Sequence, residues 1–427
     1  MDTTALLQRD SIEGMIEGFE QRINSARQNP KIPKSKEILY EIMKEYFERI
    51  YYAREQGKKL AWVGLLFPPE IVLAMDIVPF VVEQYIIQLL ASGRGYEYFD
   101  LGEAYGFDKE SCSPHLATIG AAQTGLVGRP DFIVCAAPQP CDSQSAMFDV
   151  MADMYNTPIF YCNFPYRFDD EAIEHFKREL QDMVRFLEEQ TGKKMDLDRL
   201  RELLRNSAEC HEYSMKLMDL RDRVPSPLGA RDAFSFFGPR MASEGLPKTT
   251  LFMKALYEET KAKADRSEGV VPVEKHRIVT NGAPPFWYMK LFDWMEQEYG
   301  AVVTVDLANS YPLEPVMDTS DPFLCLARKT FCSNLAVKTA IMPYHWVAQE
   351  IGKKARESRC DSCIYFAHFG CKHGCGRNRV VIEEVKRYTG IPSLILDMDA
   401  GNPMIVLASQ MKARIHDYFT MLEAQQM

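Results

Sequence analysis

The hydrophobic pattern of the chain changes character near residue 59. Up to Lys58, apolar residues recur at helical spacing among charged ones, with Ile38-Leu39-Tyr40 and Ile50-Tyr51-Tyr52 as candidate packing faces. Beyond it, short unbroken apolar runs alternate with amphipathic stretches, and four segments read as strand–loop–helix–strand units. The first begins with a strand at Leu60-Ala61-Trp62-Val63 and continues through Phe67-Pro68-Pro69-Glu70 and a short helix to Ala74. It ends in a strand from Ile77 to Val82. Proline is tolerated at a helix start because the N–H it lacks would have had no partner there. The second runs from Phe132-Ile133-Val134-Cys135 through a loop to Cys141, a helix from Ser143 to Tyr155 and a strand at Ile159-Phe160-Tyr161.

The third unit has a strand at Arg277-Ile278-Val279-Thr280, then Pro284-Pro285-Phe286, a helix ending near Tyr299-Gly300 and a strand from Ala301 to Val305. The fourth leads from Cys363-Ile364-Tyr365-Phe366 to Cys371, a helix from Arg377 to Tyr388, Gly390-Ile391-Pro392 and a strand at Leu394-Ile395-Leu396. Gly390 reads as a C-cap and Pro392 as a stop. This rhythm is that of right-handed parallel crossovers. The expected fold class is α/β, with two parallel-sheet domains of the open Rossmann type. The second and fourth units match, each carrying a cysteine between strand and helix, so the domains are read as an internal duplication. The expected divisions are a helical N-terminal segment (1–58), a first α/β domain (59–167), a helical insert (168–270) and a second α/β domain (271–427). Ligands of such sheets sit at the carboxyl ends of the strands, where the pattern places Cys141 and Cys371. If the halves face each other, both thiols point into one cleft.

Composition narrows the classes. The 427 residues are 46% apolar and 26% charged, an ordinary globular balance that excludes a disordered chain. A net charge of −10 has the wrong sign for non-specific nucleic-acid binding. No apolar run approaches the ~20 residues of a membrane span. The start, Met1-Asp2-Thr3-Thr4, carries no secretory pattern. A cytoplasmic protein is the expectation.

Eleven cysteines, an odd number, argue against a disulfide framework and for metal binding or buried thiols. Cys112, Cys141 and Cys371 each lie at a loop-to-helix junction, where free N–H groups favour the thiolate, the ligand form. Three thiolates from distant loops suit a [4Fe–4S] cluster with one iron open, whereas zinc more often draws on a tight pair. Spacing alone leaves buried thiols as the competing reading. Cys360-Asp361-Ser362-Cys363 has the C-x-x-C spacing of a zinc or redox pair, but no second pair completes it, and Cys363 opens an apolar strand. Cys135, Cys162 and Cys210 read as core, Cys325 and Cys332 are open, and Cys375 lies one turn beyond Cys371. His115 and His373 read either as neighbours of a site or as solvated loop residues. Glu83, at the end of the apolar run from Phe80 to Val82, is either an ion-paired buried acid or a general acid or base with a raised pKa. Asp397 and Asp399 read as caps for the loops after the last strand.

The combination Trp62-x5-Pro68-x-Glu70, Glu83, Ser111-Cys112, Cys141-Asp142, Pro225-Ser226-Pro227 and Gly370-Cys371 followed by a helix and Gly390-Ile391-Pro392 resembles the catalytic subunits of 2-hydroxyacyl-CoA dehydratases and class I benzoyl-CoA reductases. The resemblance covers nearly the whole chain after residue 50. It implies two flavodoxin-like halves and a [4Fe–4S] cluster on Cys112, Cys141 and Cys371. It also implies an acyl-CoA substrate, a paralogous second catalytic subunit and a separate ATP-hydrolysing iron–sulfur activator, so that ATP enters only indirectly. In the dehydratase branch a ketyl radical on the thioester carbonyl expels the hydroxyl, assisted by a serine of the first loop and a glutamate. Glu83 matches that glutamate, but the serine position is Leu65, which has no hydroxyl. The benzoyl-CoA reductase branch, its cluster-binding subunit above all, is resembled by Asp198-Arg199-Leu200-Arg201-Glu202, by Ser226-Pro227 with Phe237-Gly238-Pro239, by the Arg277-Ile278-Val279 strand and by Cys332-Ser333-Asn334. The expected activity is therefore delivery of low-potential single electrons to an aromatic acyl-CoA, with 2-hydroxyacyl-CoA dehydration as the alternative. Double-cubane relatives need a further cysteine soon after the first, and residues 113–130 contain none. A non-catalytic electron carrier or scaffold is the reading from another class.

Overall fold

The computed structural model describes residues 10–65, 67–136, 141–306, 318–332 and 343–426. Ser333 and Asn334 lie outside them, and of Cys332 only the main chain is described. Among the described residues two long helices come first, α1 (Ile12–Gln28) and α2 (Lys34–Tyr51), the former capped by the Ser11 hydroxyl accepting from Gly14 N–H at 3.0 Å. Their apolar stripes bury Met15, Phe19 and Ile23 with Ile38, Ile42, Phe47 and Ile50. Tyr51 and Tyr52, expected in that face, are instead 42% and 40% exposed. At 3.6 residues per turn they fall on the flank beyond the stripe that ends at Ile50.

The first sheet is built by β1 (Leu60–Val63), α3 (Glu70–Ala74), β2 (Val78–Phe80), α4 (Val82–Ala91), α5 (Glu97–Tyr105), α6 (Ser113–Gln123), β3 (Phe132–Ala136), α7 (Asp142–Tyr155) and β4 (Ile159–Cys162). A helical stretch follows: α8 (Asp170–Thr191), α9 (Leu197–Arg221), α10 (Ala230–Phe234), α11 (Phe237–Ser243) and α12 (Pro247–Asp265). The second sheet comprises β5 (His276–Asn281), α13 (Lys290–Tyr299), β6 (Ala301–Val305), α14 (Pro322–Cys332), α15 (Tyr344–Glu357), β7 (Ser362–His368), α16 (Lys372–Thr389), β8 (Ser393–Met398) and α17 (Ala408–Gln426). Both sheets are fully parallel. Their orders, β2-β1-β3-β4 and β6-β5-β7-β8, are the same order read one repeat later. The α/β class and the duplication are thus present in the fold.

Two boundaries differ from expectation. The strand read as continuing to Val82 stops at Phe80, so Glu83 stands in the first turn of α4 rather than at a strand end. A three-residue strand is all that β1 can pair, through Leu60–Val78, Ala61–Pro79 and Trp62–Phe80. The helix expected from Arg377 begins at Lys372, directly after Cys371.

Each sheet is buried on both faces, as parallel sheets are. Ala61, Val63, Phe132 and Val134 of the first sheet share one continuous core with Val279, Val305, Cys363, Tyr365 and Ala367 of the second, with side chains of α8, α9, α14 and α15 between them. In this strand order the chain leaves β1 to one side for β2 and returns on the other for β3, so the crevice at the carboxyl ends opens between β1 and β3. The equivalent place in the second sheet lies between β5 and β7. The loops after β3 and β7 lead to Cys141 and Cys371. Among the described residues no helix is long and apolar enough to cross a membrane.

Candidate functional site

Cys112, Cys141 and Cys371 are the N-cap residues of α6, α7 and α16. At an N-cap the first turn leaves N–H groups without intrahelical partners, and at Cys371 one of them turns to the sulfur: the Gly374 amide donates to Cys371 Sγ at 3.2 Å. The amides of His115 and Gln144, likewise three residues after their cysteines, favour the thiolates of Cys112 and Cys141 without capping them, that of His115 donating to the Cys112 carbonyl at 2.9 Å. The positive helix ends face the same sulfurs. All three cysteines are half-buried.

The thiols share one neighbourhood. Burial pushes the Cys112 thiol well up, with further upward contributions from the Cys141 and Cys371 thiolates and the Asp399 carboxylate. Burial raises Cys141 as well, Cys371 adding to it, while the Gln144 amide works the other way. Among the described residues no three His, Cys, Asp or Glu side chains gather closely enough to hold a single ion.

The two halves meet at the Cys112 loop. Asp399, just past β8, accepts from the Gly401 and Asn402 amides at 2.8 and 2.7 Å and from the Ser113 hydroxyl, so it caps its own loop and fastens it to the start of α6. Gly370, one residue before Cys371, lies so close to this turn that a Cβ there would stand 2.7 Å from Ser111 O and 2.9 Å from Cys112 Cα. His368, the last residue of β7, places Nε2 3.4 Å from Cys112 Sγ. Burial pushes its pKa down against the opposing pull of Asp399.

Glu83 is 1% exposed and accepts three N–H hydrogen bonds. Leu65 N–H reaches Oε2 at 2.9 Å; the Gln144 amide and His115 Nε2 reach Oε1 at 2.7 and 2.9 Å. His115 then meets the Ser143 hydroxyl through Nδ1 at 2.8 Å. His115, read as a possible solvated loop residue, is thus buried and links Glu83 to Ser143, two residues beyond Cys141. Leu65 brings its main-chain N–H to the carboxylate, and its side chain has no hydroxyl to offer.

Six other cysteines are packed. Cys135, Cys162, Cys210 and Cys325 are buried, and Cys360 and Cys363 lie beside β6 and within β7, with thiols pushed by burial up to about 12 and about 11. Cys375 donates to the His368 carbonyl at 3.3 Å. Sequence reasoning missed His368, Ser143 and Gln144. Gln144 and Ser143 could have been found from the first turn after Cys141, and His368 from its place at the end of an apolar strand.

The fold and the site together define a class: two-sheet α/β chains whose sheet-end loops present cysteines to a common region. The profile of the family described as 2-hydroxyglutaryl-CoA dehydratase, D-component, matches residues 65–422, and the chain belongs to that family. Similar proteins include the (R)-phenyllactyl-CoA dehydratase alpha subunit of Clostridium sporogenes, 22% identical over 90% of this chain and 95% of that one. The (R)-2-hydroxyisocaproyl-CoA dehydratase alpha subunit of Clostridioides difficile is likewise 22% identical, over 90% and 95%. A benzoyl-CoA reductase subunit of Thauera aromatica is 22% identical over 93% of this chain and 97% of its own. Both branches of the resemblance are therefore represented, at equal identity.

Proposed function

We propose that this chain is the cluster-bearing subunit of an enzyme acting on an acyl-CoA thioester, and that Cys112, Cys141 and Cys371 hold a [4Fe–4S] cluster. The observation that carries this reading is the set of three cysteine N-caps, which brings three helix N-termini to three thiols of one neighbourhood. The neighbouring sulfurs oppose ionisation of Cys112 and Cys141, and the described side chains are not gathered around one point. A cluster with three thiolate-bound metals relieves the first and fits the second. When bound, it supplies low-potential single electrons and leaves one iron open to substrate.

The chain's own residues do the rest. The Gly374 amide draws charge from the Cys371 sulfur, and the N-termini of α6 and α7 favour the thiolates of Cys112 and Cys141. Glu83 holds a proton or its absence at Oε1, next to His115, and this pair can pass a proton toward Ser143 at the Cys141 loop. Glu83 is buried to 1% exposure, which keeps water from that carboxylate. Reduction of an aromatic acyl-CoA such as benzoyl-CoA is favoured over 2-hydroxyacyl-CoA dehydration, because the first loop presents Leu65 beside Glu83 and no hydroxyl. The subunit names of the relatives support a paralogous partner, and the reading calls for an ATP-hydrolysing iron–sulfur activator and a cytoplasmic, anaerobic setting.

The test is iron and sulfide content of anaerobically purified protein, with turnover of benzoyl-CoA and of (R)-2-hydroxyacyl-CoA thioesters under a low-potential reductant. Cys141→Ser is expected to lose most of the iron and the brown absorption. Unchanged iron in that variant removes Cys141 from the ligand set. Redox activity without any effect of CoA thioesters on the spectrum points to a carrier instead.

A further inference from the structure

His368 is held so that its tautomer can be read from geometry. The Ala400 main-chain N–H reaches Nδ1 at 3.2 Å. A backbone amide only donates, so Nδ1 has to accept, and the ring proton of the neutral imidazole has to sit on Nε2. Nε2 faces Cys112 Sγ at 3.4 Å, within N–H···S range. The nearest Asp399 oxygen, Oδ2, is 3.5 Å from Nδ1, while Oδ1 is engaged by Gly401 and Asn402. Gly370 leaves room for the ring: a Cβ there would lie 3.0 Å from His368 Cε1. The side chain is 3% exposed, so it has no freedom to turn to water.

We infer that His368 is a positioning residue that donates Nε2–H to the Cys112 sulfur and thereby raises the reduction potential of the cluster that sulfur holds. The inference rests on the cluster reading above. A hydrogen bond to a ligating sulfur withdraws charge from it and favours the more negative, reduced state of the metal centre. Cys371 receives a main-chain amide from its own helix. Cys112 instead meets a side-chain donor carried by the other half of the molecule. The potential is thereby tied to the seating of β7 and the Ala400 turn against the Cys112 loop.

The experiment compares anaerobic wild-type protein with His368→Leu and His368→Gln by iron and sulfide analysis and by EPR-monitored redox titration. With iron retained, His368→Leu shifts the midpoint to more negative potential, and His368→Gln, whose amide nitrogen stands close to the place of Nε2, restores part of the shift. A midpoint unmoved in His368→Leu at full iron content overturns the inference. An independent reading avoids that variant: wild-type protein labelled with 15N-histidine shows a weak nitrogen coupling in the pulsed EPR spectrum of the reduced cluster, and His368→Gln removes it. A wild-type spectrum without that coupling overturns the inference while leaving the cluster in place. Iron absent from the wild-type protein overturns both the inference and the reading it rests on.

Discussion

A carboxylate buried as deeply as Glu83 has to be satisfied by donors, and three N–H groups from three separate segments meet it. The loop after β1 supplies Leu65, α7 supplies Gln144, and α6 supplies His115. Both helices begin at a candidate cluster ligand, so Glu83 is coupled to the cysteines through the elements that carry them. Glu83→Gln keeps the size but removes the proton site. Turnover is expected to fall by roughly 10²- to 10⁴-fold, the usual worth of a positioned acid or base. Iron content is expected to stay at the wild-type level. Full turnover by a variant with an intact cluster shows that the proton comes from elsewhere.

At the scale of elements, the hydrophobic pattern located the eight strands, because each parallel strand is a short apolar run, and the helical character of the stretch between the sheets, but neither the separate helices of that stretch nor α14, α15 and α17. It misplaced Glu83 because β2 ends and α4 begins within two residues, so apolarity continues across the junction and only hydrogen bonding marks the change; it missed the first turn of α16 because Lys372-His373-Gly374-Cys375-Gly376 carries two glycines and no apolar periodicity. The three cysteines were legible as helix starts. The His368–Cys112 contact was not, since 256 residues separate the partners and nothing local encodes their approach. Nor was the crossing of α5 on α6 legible. A Cβ at Gly120 would lie 2.0 Å from Tyr98 O and 2.9 Å from Gly102 N, main-chain atoms that cannot swing aside. Gly120→Ala therefore forces the helices apart, at a cost of about 1–3 kcal/mol or more. Because Cys112 caps α6, iron retention is expected to fall with the thermal midpoint. Gly18→Ala is the control: nothing lies within 4 Å of a Cβ there, and the substitution is expected to stabilise α1 by ~0.5–1 kcal/mol. A Gly120→Ala midpoint equal to wild type refutes the close-approach argument.

Across the whole molecule, the two sheets and the helical stretch between them are joined by a buried charge cluster as well as by the shared core. Lys329 of α14 lies between Glu70, at the start of α3, and Glu244, at the end of α11, the latter 2.9 Å away. The Ser207 hydroxyl of α9 donates to Glu70 at 2.6 Å. Burial opposes the charge on Lys329, but the Glu244 and Glu70 carboxylates outweigh it and hold the ammonium above its ordinary pKa. Burial likewise opposes the charge on Glu244, and Lys329 with Arg240 outweighs it and holds the carboxyl below its ordinary range. Glu70, part of the Pro68-x-Glu70 signature, thus fastens the first sheet's opening loop to the other parts of the chain. Lys329→Met takes from two buried carboxylates the cation they share, leaving Glu244 with Arg240 and Glu70 with the Ser207 hydroxyl, and is expected to cost about 3–5 kcal/mol in urea unfolding at neutral pH. The pH dependence gives the sign. In the wild type Glu244 has a depressed folded-state pKa, so its stabilisation is present above the unfolded value and lost as pH falls. Without Lys329 the same carboxylates resist ionisation in the folded state, and protonation relieves them. The stability difference between wild type and Lys329→Met is therefore expected to narrow as pH falls toward the carboxylate range. A gap that stays constant or widens on acidification refutes the account of Lys329 as the shared counter-ion.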